Sequence, residues 1–187
     1  MRLYVIRHGE SENNVKGFWT GWYDAPLTER GREEAKGLRP LLSSVSFDKI
    51  YASDLSRAIE TAKSAIPDCQ PETTPLLREI NLGSLANKPL SFLDAAKKAE
   101  IVKNGYVAFG GESNEEFQER VSAFMKEMEA SSHQTVAAFC HAGWLRRALN
   151  YVLDTELIRT RVHCGNCAVG VFEYENGIWR LYSFINL

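Results

Sequence analysis

Apolar runs of β character alternate with amphipathic helical patterns along the chain. The runs cover residues 3–6, 49–52, 135–140 and 169–174, and their lengths and β-branched or aromatic residues are typical of buried strands. Helix-patterned stretches lie between them. This alternation predicts an α/β fold.

Three helices are predicted from apolar residues that recur at helical spacing. For the first, Ser53 or Asp54 is expected to be the N-cap. Ser113 followed by Glu116 forms a capping box at the start of the second. The three apolar faces consist of Leu55, Ile59, Ala62 and Ile66, of Phe117, Val121, Phe124 and Met128, and of Leu145, Ala148, Leu149 and Val152.

The stretch between residues 80 and 110 is harder to interpret. Pro89 and Gly105 interrupt weak helical patterns there, so we expect a short cap or excursion from the main fold. The chain has no internal repeat, low-complexity tract or obvious linker, and its 187 residues lie near the upper end of a single ordinary domain. We therefore expect one domain over residues 1–187.

Charge and apolar content exclude several classes of partner. The formal net charge is -2 and 44% of residues are hydrophobic, so we expect no general attraction to nucleic acid or to an anionic membrane. Residues 3–6 are too short for the core of a signal peptide, and no apolar run approaches the roughly 18 residues of a membrane span. We expect a soluble, cytoplasmic protein.

Four scattered cysteines are too few for a disulfide framework in a chain of this length, and we expect them to be reduced. Cys164 and Cys167 form a CxxC pair behind His163, which raises a metal or redox site as an alternative. A structural zinc site usually has a second ligand pair, and a redox pair should begin a helix, whereas a strand is predicted here. Small buried residues are the simpler interpretation.

Three predicted strands run into polar residues and then a turn or helix, in "YVIRHGE", "KIYASDLSRAIETA" and "VAAFCHAGWLRRAL". The carboxyl ends of parallel strands meet at one edge of a sheet, where helix N-termini also present free N–H groups. Arg7, His8, Arg57 and His141 would converge there on a pocket for a dianion such as a phosphoryl group. Taken singly, each histidine could be an ordinary loop residue and Arg57 a solvated one.

The segment "RHGESENN" resembles the signature of the histidine phosphatase superfamily, also called the phosphoglycerate mutase-like proteins. Further blocks are similar to those of the family and occur in its order: "GWYDAPLTERGREEA", "YASDLSRAIETA", "LLREINLGSL", "GGESNEEFQERV" and "CHAGWLRRAL". The resemblance covers nearly the whole chain and is weakest across residues 80 to 110. It implies a three-layer sandwich with a mostly parallel central sheet flanked by helices.

The resemblance also implies a phosphorylated histidine, His8, as the nucleophile. Neighbouring cations favour the neutral imidazole that a nucleophile needs, and Arg7 and Arg57 would supply them. The same cations would neutralise the phosphoryl oxygens, a task that magnesium performs in many phosphoryl-transfer enzymes. No metal or other cofactor is then expected. His141 matches the second family histidine, a donor to the transferring group.

Glu79 matches the general acid of similar family members. It would protonate the leaving alkoxide and later accept a proton from the water that hydrolyses the phosphohistidine; the alternative is an exposed carboxylate paired with a basic residue. Asn14, Thr20 and Gly21 match positions that in relatives contact the phosphoryl group or the rest of the substrate.

The resemblance leaves two branches of the family as alternatives, the mutases and the phosphatases. "GFWTGWYDAPLT" is similar to the mutases, but these carry a longer insertion whose paired arginines hold a second phosphate, and this chain has no arginine between residues 80 and 110. A short cap with few cations favours hydrolysis. "MRLYVIRHGE" and "FGGES" resemble the small bacterial phosphatases, including the α-ribazole phosphatase group. The cations available in the cap are Lys88, Lys97, Lys98 and Lys103.

The resemblance therefore implies a phosphomonoester phosphatase, with α-ribazole 5'-phosphate as one specific substrate and a phosphoglycerate mutase as the alternative. A non-catalytic module that binds phosphorylated ligands and a metal-dependent hydrolase built on His163 and the two nearby cysteines remain rivals from other classes. A homodimer is an alternative to a monomer, and the sequence does not decide between these oligomeric states. Residues that could shape an apolar pocket for the leaving group, or simply belong to the core, are Trp19, Trp22, Tyr23, Leu85, Leu90, Phe92, Tyr106 and Phe109.

Overall fold

The computed structural model describes residues 1–155 and 161–186. The strands in this part of the chain are β1 (Arg2–Arg7), β2 (Lys49–Ser53), β3 (Glu72–Thr74), β4 (Thr135–Cys140), β5 (Val169–Glu175) and β6 (Ile178–Ile185). The helices are α1 (Glu12–Lys16), α2 (Glu29–Gly37), α3 (Arg39–Leu42), α4 (Ser56–Ala65), α5 (Ala95–Asn104), α6 (Asn114–Ala130) and α7 (Ala142–Leu153).

The strands form one mixed sheet in the order β3-β2-β4-β1-β5-β6. β1, β2, β3 and β4 are parallel, and β5 and β6 continue the sheet antiparallel. The predicted α/β fold and the mostly parallel sheet are confirmed, and each of the four predicted strands is present. The prediction lacked β3 and the hairpin partner β6. The hairpin turns at Asn176 and Gly177, both with positive φ, a dipeptide that favours tight β-turns.

Helices cover both faces of the sheet. In β1, Leu3 and Val5 point to one face and pack in a cluster with side chains of α6 and α7. Tyr4 and Ile6 point to the other face and pack with side chains of α2, α3 and α4. This alternation follows from the two-residue period of a strand, and it produces the predicted three layers.

One predicted helix cap is confirmed and one is wrong. Ser113 and Glu116 form the capping box of α6, each binding a backbone N–H of the other. At α4 the N-cap is Leu55, whose side chain makes no cap hydrogen bond. The reason is that β2 extends through Ser53, which hydrogen-bonds His141, while both carboxylate oxygens of Asp54 accept from Arg78 at 2.7 and 2.6 Å.

Residues 80 to 110 contain short 3₁₀ turns and α5 rather than a long helix. Two hydrogen bonds attach this cap to the loop after α1: Trp19 N donates to Lys88 O at 2.8 Å, and Asn87 N donates to Trp19 O at 2.7 Å. The cap has a small apolar cluster of its own, formed by Leu82, Leu85, Leu93, Ile101 and Tyr106. Among the described residues, no helix is long and apolar enough to cross a membrane.

Candidate active site

The carboxyl ends of the four parallel strands deliver the predicted catalytic residues to one edge of the sheet. Arg7 is the last residue of β1 and His8 follows it; Arg57 lies in the first turn of α4, directly after β2. Glu79 follows the 3₁₀ turn after β3, and His141 connects β4 to α7. This is the edge at which open α/β sheets bind ligands.

His8 is buried, with 5% of its surface exposed. Its Nδ1 lies 2.6 Å from the carbonyl oxygen of Gly9. Because a carbonyl only accepts, Nδ1 carries the proton and Nε2 keeps its lone pair. Burial, followed by the charges of Arg57 and Arg7, lowers the pKa of His8 well below 6.5. The imidazole is therefore neutral at pH 7, with Nε2 able to act as a nucleophile.

Gly9 must be glycine because of a close approach to α2. A Cβ at Gly9 would lie 2.3 Å from the carbonyl oxygen of Gly31, and a Cβ at Gly31 would lie 2.0 Å from that of Glu10. Thr61 on α4 accepts a hydrogen bond from Gly9 N at 3.1 Å. These contacts fix the backbone on which His8 is carried.

His141 is fully buried, and its ring centroid lies 5.1 Å from that of His8. Its Nε2 is 2.9 Å from the hydroxyl oxygen of Ser53. That oxygen is also 3.4 Å from Leu55 N, which donates to it, so the hydroxyl proton is available for Nε2 of His141. Nδ1 then carries the ring proton. Burial, followed by nearby positive charge, lowers the pKa of His141 well below 6.5.

Backbone carbonyls hold the two predicted arginines. Arg57 is 1% exposed and donates through Nη1 to Tyr23 O at 2.9 Å and through Nη2 to Gly21 O at 2.8 Å. Arg7 donates through Nη1 to Cys164 O. Burial lowers the pKa of both guanidiniums, that of Arg57 to about 10. Both remain charged at pH 7.

Glu79 is held by backbone donors on both carboxylate oxygens. Oε2 accepts from Gly143 N at 2.9 Å, at the N-terminus of α7, and Oε1 accepts from Ile80 N at 2.9 Å. A Cβ at Gly143 would lie 2.2 Å from Oε1, so a side chain at this position would displace the carboxylate. Glu79 is therefore fixed beside the cavity and is not a solvated surface carboxylate.

The three predicted substrate-binding residues lie in two segments. Asn14 belongs to α1, where its Oδ1 accepts from Ser11 N at 3.1 Å and from Asn166 Nδ2 at 3.3 Å. Thr20 and Gly21 belong to the loop after α1. Gly21 has φ +51 and lies against Leu82, so a side chain would be both strained and crowded there.

These residues surround a cavity of about 360 Å³. Seven of the eight predicted residues line it, and His141 lies behind the lining, with its Nδ1 buried and without a hydrogen-bond partner in the described structure. The Nε atoms of Arg7 and Arg57 are likewise buried without a partner in residues 1–155 and 161–186. The seven are Arg7, His8, Asn14, Thr20, Gly21, Arg57 and Glu79.

The structure adds cavity residues that the sequence did not indicate. Arg146 and Arg147 of α7 line the cavity, as do Asn114 and Asn150. The four cap lysines at positions 88, 97, 98 and 103 do not line it. Positive charge beyond Arg7 and Arg57 therefore comes from α7 rather than from the cap. Of the candidates for an apolar pocket, Trp19, Leu90 and Tyr106 line the cavity.

Cys164 and Cys167 lie in the loop that supports Arg7 and His8. Cys164 supplies the carbonyl that holds Arg7, and Cys167 N donates to His8 O at 3.3 Å. Both thiols are buried, and burial raises their pKa values, that of Cys167 to about 12. Within the part of the chain that the structure describes, no group of three or more His, Cys, Asp or Glu residues could hold a metal ion.

Comparison with known proteins agrees with this geometry. The model of the histidine phosphatase superfamily (branch 1) matches residues 3–186. The adenosylcobalamin/alpha-ribazole phosphatase of Escherichia coli strain K12 is 34% identical over 153 residues, which cover 78% of this chain and 75% of that protein.

Solved structures extend the similarity to the whole chain. A candidate alpha-ribazole-5'-P phosphatase from Escherichia coli matches with a TM-score of 0.89 at 27% identity, covering 100% of this chain and 97% of that one. A phosphoglycerate mutase from Thermus thermophilus matches with a TM-score of 0.77 at 30% identity, covering 100% and 99%. The chain therefore belongs to the histidine phosphatase superfamily and is a phosphatase with the phosphoglycerate mutase-like fold.

Proposed function

We propose that this phosphatase hydrolyses small phosphomonoesters, without a metal ion, through a phosphohistidine formed on Nε2 of His8. The observation that carries the proposal is that three predicted catalytic residues each have a buried nitrogen atom without a partner in the described chain: Nε of Arg7, Nε of Arg57 and Nδ1 of His141. An unsatisfied buried donor costs about 1–3 kcal/mol. Phosphoryl oxygens are acceptors that would satisfy such donors.

In the first half-reaction, the lone pair on Nε2 of His8 attacks phosphorus and the ester P–O bond breaks. The leaving alkoxide takes a proton from the Glu79 carboxyl group. Arg7 and Arg57 offset the charge on the phosphoryl oxygens. The imidazole becomes positively charged when Nε2 is phosphorylated, and the hydrogen bond from Nδ1 to Gly9 O stabilises that charge.

In the second half-reaction, water attacks phosphorus and the P–N bond breaks. Glu79, now a carboxylate, accepts the proton of the water and so returns to its starting state. The electron pair of the P–N bond returns to Nε2 of His8, and orthophosphate leaves. His141 would donate from Nδ1 to a phosphoryl oxygen in both steps, in the tautomer that Ser53 favours.

The substrate proposed from the relatives is α-ribazole 5'-phosphate, because a phosphatase named for it is 34% identical to this chain. A phosphoglycerate mutase is the second candidate, favoured by "GFWTGWYDAPLT" and by the mutase of similar fold. We also propose a cytoplasmic site of action, since all four cysteines are free thiols.

The test is a screen of the purified protein, in excess EDTA, against phosphomonoesters that include α-ribazole 5'-phosphate and 3-phosphoglycerate. Phosphate release and isomerised product are both recorded. Release without metal is expected. Isomerisation without release would make the protein a mutase, activity lost in EDTA would indicate a metal-dependent hydrolase, and tight phosphate binding without turnover would indicate a binding module.

The intermediate is tested by acid-free quenching after brief exposure to a ³²P-labelled substrate. Label that is stable in base and labile in acid is expected on the wild-type protein. His8→Ala should carry none. The matched control is His133→Ala, because His133 precedes β4 at the opposite end of the strand. Label that persists in His8→Ala would contradict the mechanism.

A further inference from the structure

The backbone that carries Glu79 belongs to residues 75–81, a segment with little regular structure. The segment begins with the 3₁₀ turn Pro75–Leu77 and becomes extended at Arg78. Glu79 itself lies outside every strand and helix of the described chain, so no ladder of backbone hydrogen bonds fixes it. The two hydrogen bonds to its carboxylate hold only the end of the side chain. The position of its Cα therefore depends on contacts from other elements.

Arg120 on α6 holds this backbone through its carbonyl oxygens. Its Nη1 donates to Arg78 O at 2.7 Å and to Leu76 O at 3.1 Å. Its Nη2 donates to Glu79 O at 3.0 Å, which also accepts from Trp22 Nε1 at 2.7 Å. Because a guanidinium is planar and rigid, the Arg120 side chain fixes these three carbonyl groups relative to one another.

Glu112 orients the guanidinium of Arg120. Nε of Arg120 donates to Oε1 of Glu112 and Nη2 donates to Oε2, each at 2.8 Å, which is the bidentate geometry of a strong and directional ion pair. Oε2 also accepts from Asn81 N at 2.6 Å, so the carboxylate holds the same segment two residues after Glu79. The two side chains are only 14% and 15% exposed, and water therefore screens the pair poorly.

Arg120 can act on the cavity only through Glu79. Neither Arg120 nor Glu112 is among the described residues that line the cavity. Each nitrogen atom of the Arg120 guanidinium already donates to a protein oxygen. Arg7 and Arg57 differ in both respects, because they line the cavity and each keeps a buried Nε without a partner in the described chain. The Arg120–Glu112 pair therefore does not belong to the groups that would hold a phosphoryl group.

We propose that Arg120, oriented by Glu112, is a positioning residue that places the carboxyl group of Glu79 where the leaving oxygen takes its proton. The proposal rests on the proposed phosphatase mechanism. A lysine at position 120 would keep the charge, but its ammonium is a compact point charge that cannot hold the same carbonyl and carboxylate oxygens at once. The backbone of Glu79 would then shift, and a misplacement of about 1 Å costs on the order of 10²-fold in rate.

The experiment measures kcat/KM for an alkyl phosphate and for p-nitrophenyl phosphate in Arg120→Lys and in Glu112→Gln. The alkoxide needs a proton from Glu79 to leave, whereas the nitrophenolate does not. We expect the alkyl ester to lose at least about tenfold in both variants and the p-nitrophenyl ester to lose less than about threefold. Glu112→Gln leaves Arg120 in place and changes one acceptor oxygen, so it provides the test if Arg120→Lys does not fold.

Two controls distinguish positioning from a general loss of structure. Met128→Ala truncates a buried side chain two turns after Arg120 on the same helix, so it should lower stability while the ratio of the two kcat/KM values stays as in the wild type. The dissociation constant of inorganic phosphate should change less than about twofold in Arg120→Lys, since Arg7 and Arg57 are unaltered. Equal losses for the two esters, or a phosphate affinity that falls with the rate, would overturn the proposal. So would an unchanged rate for the alkyl ester.

Glu79→Gln separates this proposal from the proposed mechanism. It should lower kcat/KM for the alkyl ester far more than for the p-nitrophenyl ester, because an amide cannot supply the proton. If Glu79→Gln shows this selective loss and the Arg120 and Glu112 variants do not, the positioning role is refuted and the mechanism stands. If Glu79→Gln affects both esters equally, the general acid assignment fails, and the positioning role fails with it.

Discussion

Gly143→Ala should separate catalysis from stability, because the new Cβ would meet the carboxylate of Glu79 rather than the core. The Cβ would lie 2.2 Å from Oε1 of Glu79 and 2.9 Å from its Cδ. An ordinary contact begins near 3.4 Å, so the carboxylate must move by about 1.2 Å. The displacement is inexpensive in stability because the end of a side chain can shift, but it moves Glu79 away from the position in which the proposed mechanism needs its carboxyl group.

The expected loss follows from that displacement. A misplacement of about 1 Å costs on the order of 10²-fold in rate, within the 10²–10⁴-fold that general acid catalysis supplies. The free energy of unfolding should change by less than about 1 kcal/mol, because alanine favours the helix while one hydrogen bond to Glu79 is weakened. We therefore expect kcat/KM for an alkyl phosphate to fall about 100-fold in a folded protein.

The assay uses kcat/KM, which reports the phosphorylation step, for an alkyl phosphate and for p-nitrophenyl phosphate. The nitrophenolate leaves without a proton, so its ester should lose far less than the alkyl ester. Gly37→Ala is the matched control, since a Cβ at that glycine, at the end of α2, meets nothing within 4 Å. Equal losses for the two esters, or an unchanged rate for the alkyl ester, would refute the role of Glu79 as general acid.

Three further substitutions test the site and the fold. Burial, and after it the neighbouring guanidiniums, lowers the pKa of His8 below 6.5, so Arg57→Ala should raise this pKa and the ring should gain its proton at higher pH in an NMR titration. Ser53→Ala removes the partner of Nε2 in His141 and should lower kcat about tenfold, since a buried group without a partner costs about 1–3 kcal/mol. Ser113→Ala removes the cap of α6 and should lower the free energy of unfolding by about 1 kcal/mol in urea, with kcat unchanged.

Each of these substitutions has a control and a contradicting result. Arg39→Ala, Ser44→Ala and Ser132→Ala are the respective controls, because they remove comparable side chains that do not line the cavity. A pKa of His8 that stays constant without Arg57 would show that burial alone sets it. Full kcat without the Ser53 hydroxyl would show that the histidine behind the cavity needs no fixed tautomer, and unchanged stability without Ser113 would show that water replaces the cap.

The strands that the sequence predicts correctly are the buried ones. The four apolar runs become β1, β2, β4 and β5, since a run with helices on both faces needs apolar residues at nearly every position. β3 carries no such signal because its three residues are Glu72, Thr73 and Thr74, at the edge of the sheet. β6 has its polar and apolar positions mixed, but Asn176 and Gly177 after β5 were a hairpin signal that could have predicted it.

The residues of the site fall into two groups: those that the local sequence indicates and those that only the tertiary packing reveals. Arg7, His8 and His141 could be predicted because each lies where a strand ends at the ligand edge. Arg146 and Arg147 could not, because two adjacent arginines in a helix are most simply interpreted as a solvated surface. Only the packing of α7 beside the cavity shows that they line it.

Several buried polar groups of the candidate site reduce the stability of the fold. His8 and His141 are buried as neutral rings beside arginines that lower their pKa values. The unfolded chain therefore binds more protons than the folded chain below about pH 6.5, and this part of the stability is lost as pH falls toward the lower folded pKa values. In the proposed mechanism a phosphoryl dianion would offset these costs, because it would balance the guanidinium charges and accept hydrogen bonds from the unpartnered nitrogen atoms. In that mechanism the groups that reduce the stability of the fold are also those that would hold the transferring group, so binding and catalysis would relieve a cost already present in the fold.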